Sequence, residues 1–239
     1  MKAFEPQPAG HEAPIAEQRL RPGTLPRHRH RHAYAAIVLE GGYLEVGDRG
    51  CWRVEAGDLV AHSAFESHLD TVPANGARVL NLALGEHQVL PPVFRVADLD
   101  ALVRAARTDP LAAAAGLAPV ETRPRIVRDW PDVLAEALLE QPSLRIGDWA
   151  AASGLAPATV SRGFKAAFGT SPARYRTEAR TLVAWRRIRE GGDPLAAIAQ
   201  DCGFADQAHL TRAIALLTGG PPRAWRQVKK IQDRAAGAA

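Results

Sequence analysis

The spacing of apolar and polar positions changes character once along this chain, and the change divides it. Between Tyr34 and Leu84 the apolar residues come in short runs broken by turn residues. The runs are Tyr34 to Leu39, Tyr43 to Val46, Trp52 to Val54, Leu59 to Ala61 and Arg78 to Leu84, with Gly41-Gly42, Gly47-Asp48-Arg49-Gly50 and Ala56-Gly57-Asp58 between them. Closely spaced short strands with glycine-rich turns predict a small antiparallel barrel or jelly roll. Residues 1–22 lack periodicity and are expected to form an extended lead-in.

After Pro91-Pro92 the period becomes helical. Val96 to Ala106 places Leu99, Leu102 and Val103 on one face, and Pro110 to Ala118 gives a second, alanine-rich piece. From Asp129 onward helices follow one another: Pro131 to Gln141, Arg145 to Ala152, Pro157 to Gly169, and Pro172 to Arg189 as one long helix. Ile198-Ala199 close another helix, Gly203 turns the chain, and Asp206 can cap a last helix whose Leu210, Ile214 and Leu217 recur at helical spacing. The fold class is therefore α+β. The expected division is a sensor-like β-unit over 1–95, a helical join over 96–126 and an all-α unit over 127–239. The join is expected either to dimerise through Leu99, Leu102 and Val103 or to cover the β-unit's own core.

The all-α unit contains a repeat. Trp149-Ala150 and Gly154-Leu155 match Ile198-Ala199 and Gly203-Phe204 at an offset of 49. After the turn the offset is 50: Arg162, Phe164, Gly169, Pro172 and Tyr175-Arg176 match Arg212, Ile214, Gly219, Pro222 and Trp225-Arg226. Two copies make a paired helix-turn-helix, not a solenoid. Joined by the long helix, the two are expected to enter successive major grooves, about 34 Å apart, on one side of DNA.

Composition sharpens this division. With 46% hydrophobic and 23% charged residues the chain has the make-up of a soluble globular protein. Residues 1–120 hold 12 Lys+Arg and 14 Asp+Glu, a net −2, whereas residues 121–239 hold 18 and 12, a net +6. The positive surplus thus lies with the helix-turn-helix repeat, where phosphate contacts would need it. Seven of the eight histidines precede residue 90. Two cysteines, Cys51 and Cys202, make no disulfide framework, and the N-terminus has no hydrophobic segment of the signal-peptide kind, so a cytoplasmic location is expected. No apolar run reaches the ~18 residues of a membrane helix, so no membrane partner is expected.

The C-terminal segments AAASGLAPATVSRGFKAAFGTSPARYRTEAR and IAQDCGFADQAHLTRAIALLTGGPPRAWR resemble the DNA-binding domain of the AraC family of bacterial transcription regulators over residues 129–228. By position the resemblance implies base contacts from Ala158, Thr159, Ser161 and Arg162 in the first reading helix, with Lys165 beside them. In the second it implies contacts from Gln207, Ala208, His209, Thr211 and Arg212. Arg180, with Arg176, Arg186, Arg187 and Arg189, is a candidate for phosphate. Two departures stand out: Ala156 replaces a capping hydroxyl before Pro157, and the first helix offers mostly small side chains.

The N-terminal half resembles a cupin. Gly23, His28, His30 and Gly41 or Gly42 fall near the places of that family's first motif, with Tyr34 or Ala35 where its Glu would stand. From Gly57 the spacing of the second motif reaches His68, with Ser63 and Phe65 in place of Pro and Gly. His28, His30 and His68, with His32 as an alternative register, are candidates for an effector pocket or a divalent transition metal, which neutral imidazole suits. In the RHRHRH run the arginines would face away from the histidines, so Arg27, Arg29 and Arg31 are equally placed for an anionic effector. A polar pocket or a solvated strand is the bland alternative.

Together these features predict a regulator, with no catalytic residues, that binds promoter DNA under control of a small molecule or metal. Its further partners would be RNA polymerase, an unidentified small-molecule effector and a second copy of the chain. The competing readings are a metal-dependent cupin enzyme fused to a DNA reader, and a DNA-binding protein whose β-unit only dimerises.

Overall fold

The computed structural model describes residues 16–85, 88–141 and 144–226. Its N-terminal part is an antiparallel sheet of nine strands: β1 (Ala16–Leu20), β2 (Gly23–Arg29), β3 (Tyr34–Gly47), β4 (Gly50–Glu55), β5 (Leu59–His62), β6 (Ser67–Val72), β7 (Ala77–Ala83), β8 (Val93–Arg95) and β9 (Glu121–Thr122). Its pairings branch at β3. The first half of β3 pairs with β5 and β7, and the second half pairs with β4 and β6. Strand β2 extends the second branch through β6, and β1 and β8–β9 extend the first.

Gly41-Gly42, expected as a turn between two strands, is instead the corner of one continuous strand. A side chain on Gly41 would stand 2.1 Å from the Gly76 carbonyl oxygen, and one on Gly42 would stand 2.2 Å from that of Val54. Only glycine lets neighbouring strands press on both sides of this bend. The two branches then face each other over a core that includes Val38, Tyr43, Trp52, Val54, Val60, Val72 and Val79.

Several strands differ from the sequence expectation, among them β8, which follows Pro91-Pro92 where the strands were expected to end. Residues 16–20 of the expected lead-in form β1 on the edge of β7, and the first fifteen residues lie outside the described ones. Strand β6 was not predicted, because its inward positions are His68 and Asp70, so the usual polar-out alternation is reversed. Strand β9 returns from the join to pair with β8.

The join is packed on the sheet. Helices α1 (Leu99–Thr108) and α2 (Pro110–Ala115) follow β8. Leu99, Leu102 and Val103 of α1 lie against Ile37, Leu80, Leu82 and Phe94. Of the two expectations for this face, covering the sheet's core is the one realised, and residues 96–122 form part of the N-terminal unit.

The C-terminal unit comprises α3 (Trp130–Glu140), α4 (Ile146–Ala152), α5 (Pro157–Phe168), α6 (Pro172–Glu190), α7 (Leu195–Asp201) and α8 (Gln207–Thr218). Gly169 and Gly219 end α5 and α8 in the left-handed conformation, with φ of 68° and 76°. The long helix α6 passes between two apolar clusters, giving Tyr175 to the first and Leu182, Ala184, Trp185 and Ile188 to the second. Among the described residues no helix is long and apolar enough to cross a membrane.

Candidate nucleic-acid interface and histidine pocket

The repeat in the sequence is a repeat in space. Helices α4 and α5 are joined through Gly154 at φ 66°, and α7 and α8 through Gly203 at φ 73°. In each copy the amide of the residue after the turn glycine reaches back to the preceding helix: Leu155 to the Ala150 carbonyl at 2.9 Å, Phe204 to the Ala199 carbonyl at 2.8 Å. The matched arginines repeat a further bond. Arg176 donates to the Leu144 carbonyl at 2.7 Å, and Arg226 donates to the carbonyl of Asp193, the residue 49 places after Leu144. Each bond ties the end of a unit to the segment that precedes its first helix.

On these scaffolds the reading faces point outward. Ala158, Thr159, Ser161, Arg162 and Lys165 of α5 are exposed, as are Gln207, Ala208 and Arg212 of α8, while His209 and Thr211 are half-buried. Val160, Phe164 and Phe168 point inward from α5, and Leu210, Ile214 and Leu217 from α8. Asp206 caps α8 by accepting from the His209 amide at 2.6 Å, whereas Ala156 gives α5 no side-chain cap. The His209 ring stands edge-on to Phe204 at 5.2 Å.

The arginines of α6 are largely engaged within the protein. Arg180 donates to the Gly203 carbonyl at 2.7 Å and lies over the Phe204 ring, so it braces the second turn. Arg187 pairs with Asp193 and Asp201, and Arg189 lies over Trp185. The sequence named these residues as phosphate candidates; each also has a partner within the protein, a carbonyl for Arg180, two carboxylates for Arg187 and a ring for Arg189.

The histidines converge on the inner side of β2 and β6. The ligand nitrogens of His28, His30 and His68 all lie within 4.8 Å of one another. His28 and His68 are register partners, with ring centroids 4.3 Å apart. His32 lies beyond the end of β2, exposed and outside the cluster. The alternation expected for the RHRHRH run holds through residue 30. Arg27 and Arg29 point the other way, toward α6, while Arg31 is exposed.

Several pocket residues escaped the sequence reading. His62, at the end of β5, is buried, stacks on Tyr34 at 4.6 Å and lies 4.2 Å from the His68 ring. Glu45 approaches His62 at 3.6 Å, and Asp70 approaches His68 at 3.8 Å. The carboxylate missing near Tyr34 is thus supplied from β3 and β6. No spacing rule relates Glu45 or Asp70 to the HxH pair; only the register Glu45 to Asp70 and Gly47 to His68 brings them in.

Burial dominates the electrostatics here. It pushes His30 down to about 4, helped by the neighbouring His28, and pushes His62 and His68 well below the ordinary histidine value. Burial thus favours the neutral form of these three imidazoles, the form that ligates metals. Burial also raises Asp70 to about 7, and it raises Glu45 well above the carboxylate range with the help of Asp70 and Glu66. The residues present fit a bound cation. His28 Nδ1 lies 2.9 Å from the Pro26 carbonyl, and His68 Nδ1, Glu45 Oε2 and Asp70 Oδ1 are buried with no hydrogen-bond partner. The adjoining cavity, lined by Glu45, His62, Glu66 and His68, has a volume of about 10 Å³, room for a water or an ion.

The two halves of the molecule meet over both helix-turn-helix units. At the first, Val46, Cys51 and Leu69 of the sheet join Leu134, Phe164, Phe168 and Tyr175 in one apolar cluster. Beside it, Arg27 meets Asp48, and Arg27 and Arg29 reach Glu178 of α6 at 3.4 and 2.9 Å. Burial works to raise the Glu178 carboxyl, but Arg29, Arg27 and Arg174 together hold it below the usual range. At the second unit Phe65, from the loop between His62 and His68, stands edge-on to Trp185 and Trp225 at 5.0 and 5.7 Å. Phe65 stands where the second-motif spacing counted from Gly57 would call for Gly. It is the one non-glycine residue with positive φ, 62°, among those described.

A family model described as a helix-turn-helix domain matches residues 149–228. An AraC-like transcription regulator of Streptomyces antibioticus, so described, is 33% identical over 85 residues, 36% of this chain and 28% of that protein. A second, of Streptomyces lividans, is 29% identical over 118 residues, 45% of this chain and 39% of that protein. The HTH-type transcriptional regulator Rv1931c of Mycobacterium tuberculosis is 32% identical over 83 residues, 35% of this chain and 32% of that protein. The chain thus spans about a third of the length of the curated relatives it matches. Paired turns, matched arginine bonds and outward-facing helices coincide with the matched residues, so the C-terminal half carries a helix-turn-helix domain similar to those of regulators described as AraC-like.

Proposed function

We propose that this protein is a transcription regulator: its C-terminal half binds double-stranded promoter DNA, and its N-terminal half controls that binding from the histidine pocket. The observation that carries the reading is the pair of exposed polar faces on α5 and α8, held on scaffolds that repeat down to the Arg176 and Arg226 bonds. The relatives named above are described as regulators, and the enzyme alternative is set aside with them. Contact with RNA polymerase, and activation as the sign of regulation, complete the proposal.

For the signal, the chemistry favours a divalent transition metal over an organic effector. His28, His30 and His68 would hold it, and the carboxylates of Glu45 and Asp70 would offset its charge. When bound, the metal would supply positive charge and fixed coordination geometry; no reaction is required of it.

Arg212 is the sharpest test of DNA reading. Replacing Arg212 with Ala is expected to cost about 1–3 kcal/mol at one base-pair position and to relax preference there. A genomic binding map supplies the site, and fluorescence anisotropy on single-base variants of it gives the measurement. Equal affinity of the wild type and Arg212→Ala for every variant would remove α8 from the interface.

A further inference from the structure

We infer that Glu178, on the helix joining the two reading units, reports occupancy of the histidine pocket to the DNA-binding half through Arg27 and Arg29. This rests on the metal reading above and goes beyond it by naming the residues that carry the signal.

The argument is one of alternation. At the end of β2 and into the residue that follows it, consecutive side chains leave on opposite sides, so His28 and His30 enter the pocket while Arg27 and Arg29 leave toward α6. A displacement of β2 that brings the two imidazoles toward a common centre therefore displaces the two guanidinium groups as well. Donor nitrogens spread over as much as 4.8 Å must close in for a metal with bonds of about 2.0–2.1 Å. The receiving end is sensitive to such a shift. Glu178 Oε1 is shared between Arg29 and Arg174 at 2.9 Å each, and Oε2 holds Arg27 at 3.4 Å. Arg27 is buried between Asp48, its nearer carboxylate, and Glu178, and its Nε and Nη1 have no hydrogen-bond partner, so a shift of β2 redistributes its Nη2 between the two carboxylates.

The geometry also fixes what is moved. A side chain on Gly169 would stand 2.9 Å from Arg27 Cβ, so β2 lies directly on the turn between α5 and α6. The other ligand-bearing segment reaches the second unit, because the loop from His62 to His68 carries Phe65 into the cluster of Trp185 and Trp225. Both reading helices are thus attached to the pocket, the first through the Arg27 and Arg29 ion pairs with Glu178 and the second through the aromatic cluster of Phe65, Trp185 and Trp225. Glu178 acts as a positioning residue, through its pairs with Arg27, Arg29 and Arg174.

The test uses the full chain, with Zn²⁺ as the probe, and reads metal affinity and DNA affinity separately. Calorimetry gives the Zn²⁺ dissociation constant for the wild type, Glu178→Gln and Arg29→Gln, and anisotropy gives DNA affinity with and without Zn²⁺. The expected result is a Zn²⁺-dependent change in wild-type DNA affinity of about fivefold or more, the usual lower range for coupled sites. Both variants are expected to bind Zn²⁺ as the wild type does, while their change falls to about twofold or less. Two results overturn the inference: a full Zn²⁺ response in Glu178→Gln and Arg29→Gln, or Zn²⁺ binding by the wild type with no change in its DNA affinity. Absence of Zn²⁺ binding by the wild type overturns the metal reading itself, and this coupling with it. His30→Ala, which removes a ligand and leaves Glu178 in place, is expected to lose Zn²⁺ binding and with it the Zn²⁺-dependent change in DNA affinity.

Discussion

The two helix-turn-helix units share a backbone plan and differ in almost everything laid over it. In the first, α5 begins uncapped at Ala156 and presents mainly small residues, and its cluster is shared with the sheet through Val46, Cys51 and Leu69. In the second, α8 begins at a capped Asp206 and presents Gln207, His209 and Arg212, and the sheet touches it through the Phe65 loop. The features that stayed alike are those that close each unit: the turn glycine, the amide bond behind it and the arginine bond to a carbonyl before the first helix. The features that diverged are the faces. Hydrogen bonds to backbone fix a scaffold without specifying what it carries, so a duplicated unit can keep one and change the other.

The largest expected effect tests the asymmetry of attachment. Phe65→Ala removes a ring buried between two tryptophans and is expected to destabilise the protein by about 3–5 kcal/mol, measured by denaturant unfolding. Amide exchange should then show protection lost in α7 and α8 first. Equal loss in α4 and α5 would mean that the sheet holds the two units as one block.

A smaller effect tests the equivalence of the clamps. Arg176→Ala and Arg226→Ala each remove a charged donor from a carbonyl, expected to cost about 1.5–3 kcal/mol. If the units are built alike, the two losses should agree within about 0.5 kcal/mol, the usual scatter of independent sites. A clear difference would limit the likeness to geometry.

The smallest effect concerns the caps. Asp206→Ala is expected to cost about 0.5–2 kcal/mol, and Ala156→Asp to add up to about 1 kcal/mol, both by thermal unfolding. A gain at Ala156 would show that the first unit has gone without a cap that its helix can use. No change would mean that Pro157 at the first helical position already fixes the start.

How legible each half was follows from where its polar groups point. The C-terminal half shows itself because Val160, Phe164 and Phe168, and then Leu210, Ile214 and Leu217, face inward at helical spacing, and because the pattern occurs twice. The N-terminal half hides its most informative strand. In β6 the inward residues are His68 and Asp70 while Leu69 faces α-helices across the interface, so a half-buried strand reads as polar-in and apolar-out. Gly41-Gly42 misled for a related reason: a glycine pair marks a sharp bend, and only the strands pressing on it tell whether the chain turns back or carries on. His28, His30 and His68 were found by motif spacing, whereas His62, Glu45 and Asp70 enter by strand register, which a linear pattern does not encode. Arg180 was visible as a charge but not as a brace, since its partner is a carbonyl, and every residue has one.

Cys51 gives this architecture a built-in reporter. Its thiol sits in the contact between the sheet and the first unit, 2% exposed, and burial pushes its pKa up to about 11. While the halves stay together it is both shielded and protonated, and hence doubly inert toward alkylating reagents. Separation of the halves would lift both protections in one step. The alkylation rate of an unmodified residue therefore times the opening of the molecule, with no label to be introduced and no side chain to be exchanged.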